Sequence, residues 1–280
     1  MLDNITPIEA LTPDSVTSDA FLVTPTHARL LSVYTPQAWY GAGQFFAPNP
    51  EFGATIDYYL RTAAPAGVVV RVADAHRTVR TLEGSGRAGL NRIVWDLRIE
   101  SPIPQDAREP SGASGLGGPP VGPLVLPGVY TVTIDGAPRP LKGELKVAGD
   151  PRVSFSDADR RSRQTALMDL YGLIKALGSA RAAAASRLAR TDGSAHTARP
   201  DGPDPADALR AVQARIGTLI NSASGLSRSI EGYSGVPTVD QRRQIDWAFD
   251  DGRQATDALY RALQTEGAAN AEQLSIPKRQ

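Results

Sequence analysis

The middle of the chain is organised as short runs in which hydrophobic and polar residues alternate. In the run LNRIVWDLR, Ile93, Trp95 and Leu97 share one face, because successive side chains of a strand point to opposite sides of a sheet. The runs ATIDYYL, VVVRVAD, TVRTL, GVYTVTI and LKGELKV alternate in the same way or are rich in β-branched residues. We therefore predict an immunoglobulin-like β-sandwich over residues 51–149, with Trp95 as a core anchor.

After residue 150 the hydrophobic residues recur at spacings of three and four, which is typical of amphipathic helices. Three such stretches are separated by breaks that contain Gly and Pro. Ser156 and Thr238 each begin a capping box, and Pro205 is suited to a first helical position. These features predict an antiparallel three-helix bundle over residues 150–270, so that the whole chain is a multidomain α+β protein.

Two segments show neither period. Residues 1–50 are rich in Pro and in aromatic residues, and we predict an irregular lead-in that packs on another surface, because disordered segments are poor in aromatics. Its possible interaction surface consists of Trp39, Tyr40, Phe45 and Phe46. The second segment, residues 101–126, is rich in Pro, Gly and Ser and is predicted to be a long mobile loop.

Composition and charge exclude several classes of protein. The 280 residues contain 30 basic and 30 acidic side chains, and this balance gives no support for a nucleic-acid interface or for electrostatic membrane binding. No apolar run approaches the roughly 20 residues that cross a bilayer, so we predict no membrane span. The first residues contain acids where a signal peptide requires a basic start, so no signal peptide is predicted in this chain.

Candidate catalytic groups are few. His27, His76 and His196 have no partner at metal-ligand spacing, and we expect each to be exposed. The chain has no Cys, which excludes thiolate catalysis, and no GxSxG nucleophile motif is present. Asp57 and Asp96 lie on predicted strands, and a carboxylate pair can hydrolyse glycosides; the favoured interpretation makes both solvated outer-face residues. We predict no catalytic, metal-binding or cofactor-binding residue, and no cofactor.

Several runs resemble one protein family. NPEFGATIDYYLR, VVVRVADAHRTVRTLEGSGRAGLNRIVWDLR and GPLVLPGVYTVTIDG resemble the C-terminal region of large exported bacterial proteins. The front half of those proteins is a sortilin-like or BNR-repeat β-propeller, and they are often labelled glycosyl hydrolases. The strand pattern is also similar to the immunoglobulin-like domain of the flagellar hook-capping protein. The resemblance continues through the DPR segment at Asp150 and the Pro237-Thr238 pair, and so covers nearly the whole chain.

The resemblance implies a location and a partner. It implies a periplasmic or secreted protein, and an upstream or adjacent β-propeller as the part that carries ligand binding or hydrolysis. No catalytic residue of the family carries over to this chain. We therefore hypothesise a non-catalytic interaction or scaffold module that is not an enzyme. The alternative is an accessory carbohydrate-binding part of a glycosyl hydrolase-like protein, which the family label and the aromatic lead-in motivate.

Overall fold

The computed structural model describes residues 4–31, 51–104, 119–192, 205–265 and 275–279. The elements in chain order are α1 (Thr6–Glu9), a short 3-10 turn (Ser15–Thr17), β1 (Ala20–Leu22), β2 (Ala28–Leu30), β3 (Ala54–Leu60), β4 (Val68–Ala73), β5 (Thr78–Gly84), β6 (Gly89–Trp95), β7 (Gly128–Asp135), β8 (Leu141–Gly149), α2 (Asp157–Asp192), α3 (Pro205–Gly232) and α4 (Val239–Thr265). The chain divides into a sheet unit and a helical unit. The sheet unit comprises Met1–Glu100 with Leu124–Ser154, and the helical unit comprises Ser101–Pro123 with Phe155–Gln280.

The sheet unit contains two sheets. One has three strands in the order β1-β3-β6, and the other has five in the order β2-β8-β7-β4-β5. One of the two curls into a half-barrel. The pairing of β2 with β8 is parallel, whereas the other strand pairs are antiparallel. In the β3–β6 pair, Ala54 lies opposite Trp95 and Leu60 lies opposite Gly89.

The predicted immunoglobulin-like sandwich followed by an antiparallel three-helix bundle is wrong. The structure is a mixed α+β fold with sheets of three and five strands and three long helices. Alternation along a strand indicates which of its faces is buried, but it does not indicate which strand lies beside it. The strands β1 and β2 show the consequence: they come from the lead-in, where no period is visible, and they pair with β3 and β8.

The core of the sheet unit is built from the faces that the alternation predicts. In β7, Tyr130, Val132 and Ile134 are buried. Trp95 is fully buried and packs edge-to-face on Tyr130, with 5.3 Å between ring centroids. Its indole Nε1 donates a hydrogen bond of 2.9 Å to the carbonyl oxygen of Arg98. The prediction that Trp95 is a core residue is therefore confirmed.

Leu97, which follows the end of β6, has an unusual backbone conformation. Leu97 is fully buried and has a φ of 59°, in the left-handed region that non-glycine residues rarely occupy. Its carbonyl oxygen accepts a hydrogen bond of 2.8 Å from the backbone nitrogen of Val125. This backbone conformation costs free energy, and burial of the leucine side chain offsets that cost by contributing about 1.5–3 kcal/mol to stability.

The helical unit has one core that all three long helices line. The apolar stripe predicted for α2 is buried along its length: Leu167, Leu170, Ile174, Leu177, Ala184 and Leu188. From α3 and α4, the most buried members are Leu209, Ile216, Ala223, Ile230, Ile245, Phe249, Ala255 and Leu259. Within the described parts of the chain, no helix is long and apolar enough to span a membrane.

The starts of the helices follow the predicted signals. The backbone nitrogen of Asp159 donates to Ser156 Oγ at 3.1 Å, which caps α2. At α4 the capping box is reciprocal. The Gln241 backbone nitrogen donates to Thr238 Oγ1 at 3.1 Å, and the Thr238 nitrogen donates to Gln241 Oε1 at 3.0 Å. Pro205 is the first residue of α3, as predicted.

The described ends of the loop 101–126 are packed, and the prediction that the loop is mobile concerns chiefly its centre. Ile103 is buried in the helical core, and a Cβ placed on Gly178 of α2 would come 2.8 Å from its Cγ1. The Ser101 hydroxyl donates to the carbonyl oxygens of Ile103 and Pro120. The centre of the loop, residues 105–118, lies outside the described residues.

Candidate functional site

The sheet unit has a shallow polar cleft beside β3. It encloses about 190 Å³, including space open to solvent. Hydroxyl and amide side chains line most of it, together with one carboxylate: Asn4, Thr6, Pro7, Val23, Thr24, Pro25, Thr26, Thr55 and Asp57. Because this volume includes open solvent, the cleft does not enclose space for a small-molecule ligand, and its chemistry depends on Asp57.

Asp57 is buried, so the prediction of a solvated outer-face residue is wrong. Its side chain is only 6% exposed. Arg92 lies directly opposite it in the β3–β6 register. The guanidinium Nε donates to Asp57 Oδ1 at 2.7 Å and Nη2 donates to Oδ2 at 3.3 Å. The alternation of β3 predicts the outward side of the sheet for Asp57, but it cannot show that a cation on the neighbouring strand neutralises this carboxylate.

Asp96 lies at a distance from Asp57 and has different partners. Its carboxylate is partly exposed, accepts a hydrogen bond of 3.1 Å from the Arg98 backbone nitrogen, and lies 3.7 Å from Arg80 Nη2. Trp95 is opposite Ala54, so Asp57 and Asp96 are separated by roughly 13 Å along the strands at 3.3 Å per residue. The carboxyl groups of glycosidases lie roughly 5–9.5 Å apart. The two aspartates therefore do not form such a pair.

The described histidines are solvent-exposed, as predicted. His27 and His76 are both exposed, and His196 lies outside the described residues. His76 is in the turn between β4 and β5, where its backbone nitrogen donates to Asp74 Oδ1 at 2.7 Å. Within the ranges that the structure describes, no three His, Asp or Glu side chains are grouped closely enough to hold a metal ion.

The predicted aromatic surface falls outside the described residues. This applies to all four of its members, Trp39, Tyr40, Phe45 and Phe46. Of the neighbouring aromatics, Phe21 in β1 stacks on Tyr59 of β3 at 5.2 Å between centroids, with 24° between the rings. The part of the lead-in that the structure describes therefore places one of its aromatics in contact with the sheet.

An exposed tryptophan on α4 is the feature that sequence reasoning missed. Trp247 is 63% exposed, although Ile245 and Phe249 on either side of it are buried. Two residues of a helix correspond to about 200° of rotation, so the spacing that buries Ile245 directs Trp247 away from the core. A signal was present in the sequence, because a Trp that falls off the apolar stripe of a helix is predicted to face solvent.

The three comparisons with known proteins gave no match: no protein-family model, no curated protein and no solved structure is significantly similar to this chain.

Proposed function

We propose that this chain is a non-catalytic interaction module that works beside a β-propeller domain, with Trp247 in its contact surface. The exposed indole of Trp247 carries the proposal. Tryptophan is enriched among the residues that dominate binding energy at protein interfaces. An apolar side chain of this size gains roughly 25 cal/mol for each Å² that a partner covers, before the cost of association.

The contacts of the two candidate carboxylates support a structural role for both. Arg92 engages both oxygens of Asp57, and Asp96 accepts from the Arg98 backbone. Because the Asp57 side chain is only 6% exposed, little of its carboxylate is accessible to a substrate. We expect the purified chain to hydrolyse neither glycosides nor esters. Turnover that is lost in Asp57→Asn would contradict the proposal.

The resemblance of the strand runs to propeller-bearing exported proteins supports the choice of partner and a periplasmic or secreted location. The test is co-expression with the propeller encoded by the same gene or by a neighbouring one, followed by gel filtration. We expect the chain and the propeller to elute together. Separate elution, or a gene and neighbourhood without any propeller, contradicts it.

A carbohydrate is the second candidate ligand, and the surroundings of Trp247 favour it specifically. Gln244 and Asp251 lie three residues before and four residues after Trp247 on α4, positions that share its helix face. An aromatic ring flanked by polar side chains suits the stacking of a sugar ring together with hydrogen bonds to its hydroxyls. A glycan array with the wild-type chain and Trp247→Ala separates the two candidates, because only carbohydrate binding gives a signal that depends on Trp247 there.

A further inference from the structure

The segment Ser275–Arg279 lies across the two helices α2 and α4. Ile276 packs partly buried against the core of the helical unit. A Cβ placed on Gly252 of α4 would come 2.8 Å from Leu173 Cδ1 and 3.7 Å from Ile276 Cδ1. A Cβ on Gly172 of α2 would come 3.4 Å from Pro277 Cγ. The two glycines therefore form the floor of a groove that receives the side chains of Ile276 and Pro277.

The far end of the groove is acidic. Arg279 Nε lies 3.5 Å from Asp169 Oδ2 of α2, and Arg279 Nη1 forms an ion pair with Asp246 of α4. The side chain of Asp169 is only 3% exposed, whereas that of Asp246 is 56% exposed. One guanidinium thus bridges a buried and an exposed carboxylate, and bonds to a charged partner that is partly buried are stronger than those at an open surface.

The spacing shows how the segment runs. Ile276 lies beside Gly252, and Arg279 pairs with Asp246. Gly252 and Asp246 are about 9 Å apart along α4 at 1.5 Å per residue. Three extended residues span about 10 Å. The segment is therefore extended and runs opposite to the direction of α4, so an apolar residue and an arginine three positions later occupy the two ends of the groove.

We propose that the groove between α2 and α4 is a peptide-binding site for extended segments with an apolar residue followed three positions later by arginine. In this structure the chain's own residues Ser275–Arg279 fill it. The partner is thus a basic peptide segment, selected by the two aspartates and by the glycine floor. The groove adjoins the proposed propeller contact, because Asp246 directly precedes Trp247 on α4, but none of the observations that support the groove involves Trp247.

The binding experiment uses the full chain with the resident segment released by Ile276→Ser and Arg279→Ala together. The probe is a fluorescein-labelled, amidated peptide SIPKRQ, and the readout is fluorescence anisotropy. We expect saturable binding to the double variant and binding at least about tenfold weaker to the wild type. The wild-type groove is already filled by a covalently linked competitor, for which effective concentrations reach the millimolar range.

Two pairs of variants, each added to the double variant, test the two halves of the groove. Asp246→Asn should weaken binding about tenfold and reduce its salt dependence, whereas Asp250→Asn should not change it, because Asp250 is 59% exposed on α4 and pairs with Arg253 instead. Gly172→Leu should abolish binding by filling the position of Pro277. Gly225→Leu on α3 is its control, because no atom lies within 4 Å of a Cβ placed there.

The peptide SIPKAQ, which lacks the arginine, should bind at least about tenfold more weakly than SIPKRQ if the two aspartates select the ligand. Absence of saturable binding to a folded double variant overturns the proposal, as does equal binding by the Asp246 and Asp250 variants. If the double variant does not fold alone, the chain truncated after residue 274 is refolded with and without SIPKRQ. Recovery of helical circular dichroism only with the peptide supports the site, and no recovery with it overturns the proposal.

Discussion

Replacing Trp95 by alanine should lower the free energy of unfolding of the sheet unit by about 3–5 kcal/mol, the usual cost of truncating a fully buried aromatic residue. Two observations place the loss in the upper part of that range. The edge-to-face contact with Tyr130 is lost, and such pairs contribute about 0.5–1.5 kcal/mol beyond area burial. The Arg98 carbonyl loses its 2.9 Å hydrogen bond from the indole, which leaves an acceptor without that donor.

The assay is urea denaturation followed by circular dichroism and tryptophan fluorescence. Trp247→Ala is the matched control, because its side chain is largely exposed and surface substitutions usually change stability by less than about 0.5 kcal/mol. Trp95→Phe keeps an aromatic ring but loses the hydrogen bond to Arg98, so it should fall between the wild type and Trp95→Ala. If Trp95→Ala unfolded at the same urea concentration as the wild type and the Trp247→Ala control, the assignment of Trp95 to the core would be refuted.

Three further predictions concern single interactions. Thr238→Ala should cost about 1 kcal/mol of thermal or urea stability through loss of the α4 cap, and a loss near zero would show that the Gln241 half of the box suffices. Arg92→Ala should lower the free energy of unfolding by about 1–3 kcal/mol, because it leaves the buried Asp57 carboxylate without its partner. Adding Asp57→Asn should recover part of that loss in urea unfolding, and the absence of any recovery would contradict a stabilising role for the ion pair. Burial, and after it the charge of Asp74, raises the pKa of Tyr130 to about 12, whereas the pKa in the unfolded chain is about 10. The stability that Tyr130 contributes is therefore complete below pH 10 and is lost as the pH rises from 10 towards 12. Alkaline unfolding of Tyr130→Phe should lack this part of the pH dependence.

The strands and helices with a strong period could be predicted from the sequence, but their partners could not. The face of β7 that carries Tyr130 and Ile134 is buried as the alternation indicates, because burial on one side of a strand leaves a period of two. The pairing of β2 with β8 leaves no such mark, since β2 has only three residues and its backbone hydrogen bonds go to a strand more than 100 positions away. Wrong assembly of correctly predicted strands is what made the sandwich prediction fail.

The residues of the candidate site also divide into those whose environment could be predicted from the sequence and those whose environment could not. Asp57 could be placed on a strand from sequence, but its burial depends on Arg92, 35 positions away, and no local pattern reports that contact. The exposure of Trp247 could be predicted from the helical period of α4. The docking of Ser275–Arg279 could not, because five residues carry no period and the glycines that receive them have no side chain whose pattern would reveal the groove.

The central claim, that the chain binds a partner through Trp247, is tested most directly by calorimetric titration of the β-propeller partner into wild-type chain and Trp247→Ala. Val129→Ala is the control, because Val129 is also a well-exposed hydrophobic residue but lies on β7 of the sheet unit. The account predicts that Trp247→Ala raises Kd about 30-fold, which corresponds to the roughly 2 kcal/mol of an interface hot spot, while Val129→Ala leaves Kd within about twofold of the wild-type value. No heat of binding for the wild type, or equal Kd values for the wild type and Trp247→Ala, would contradict it.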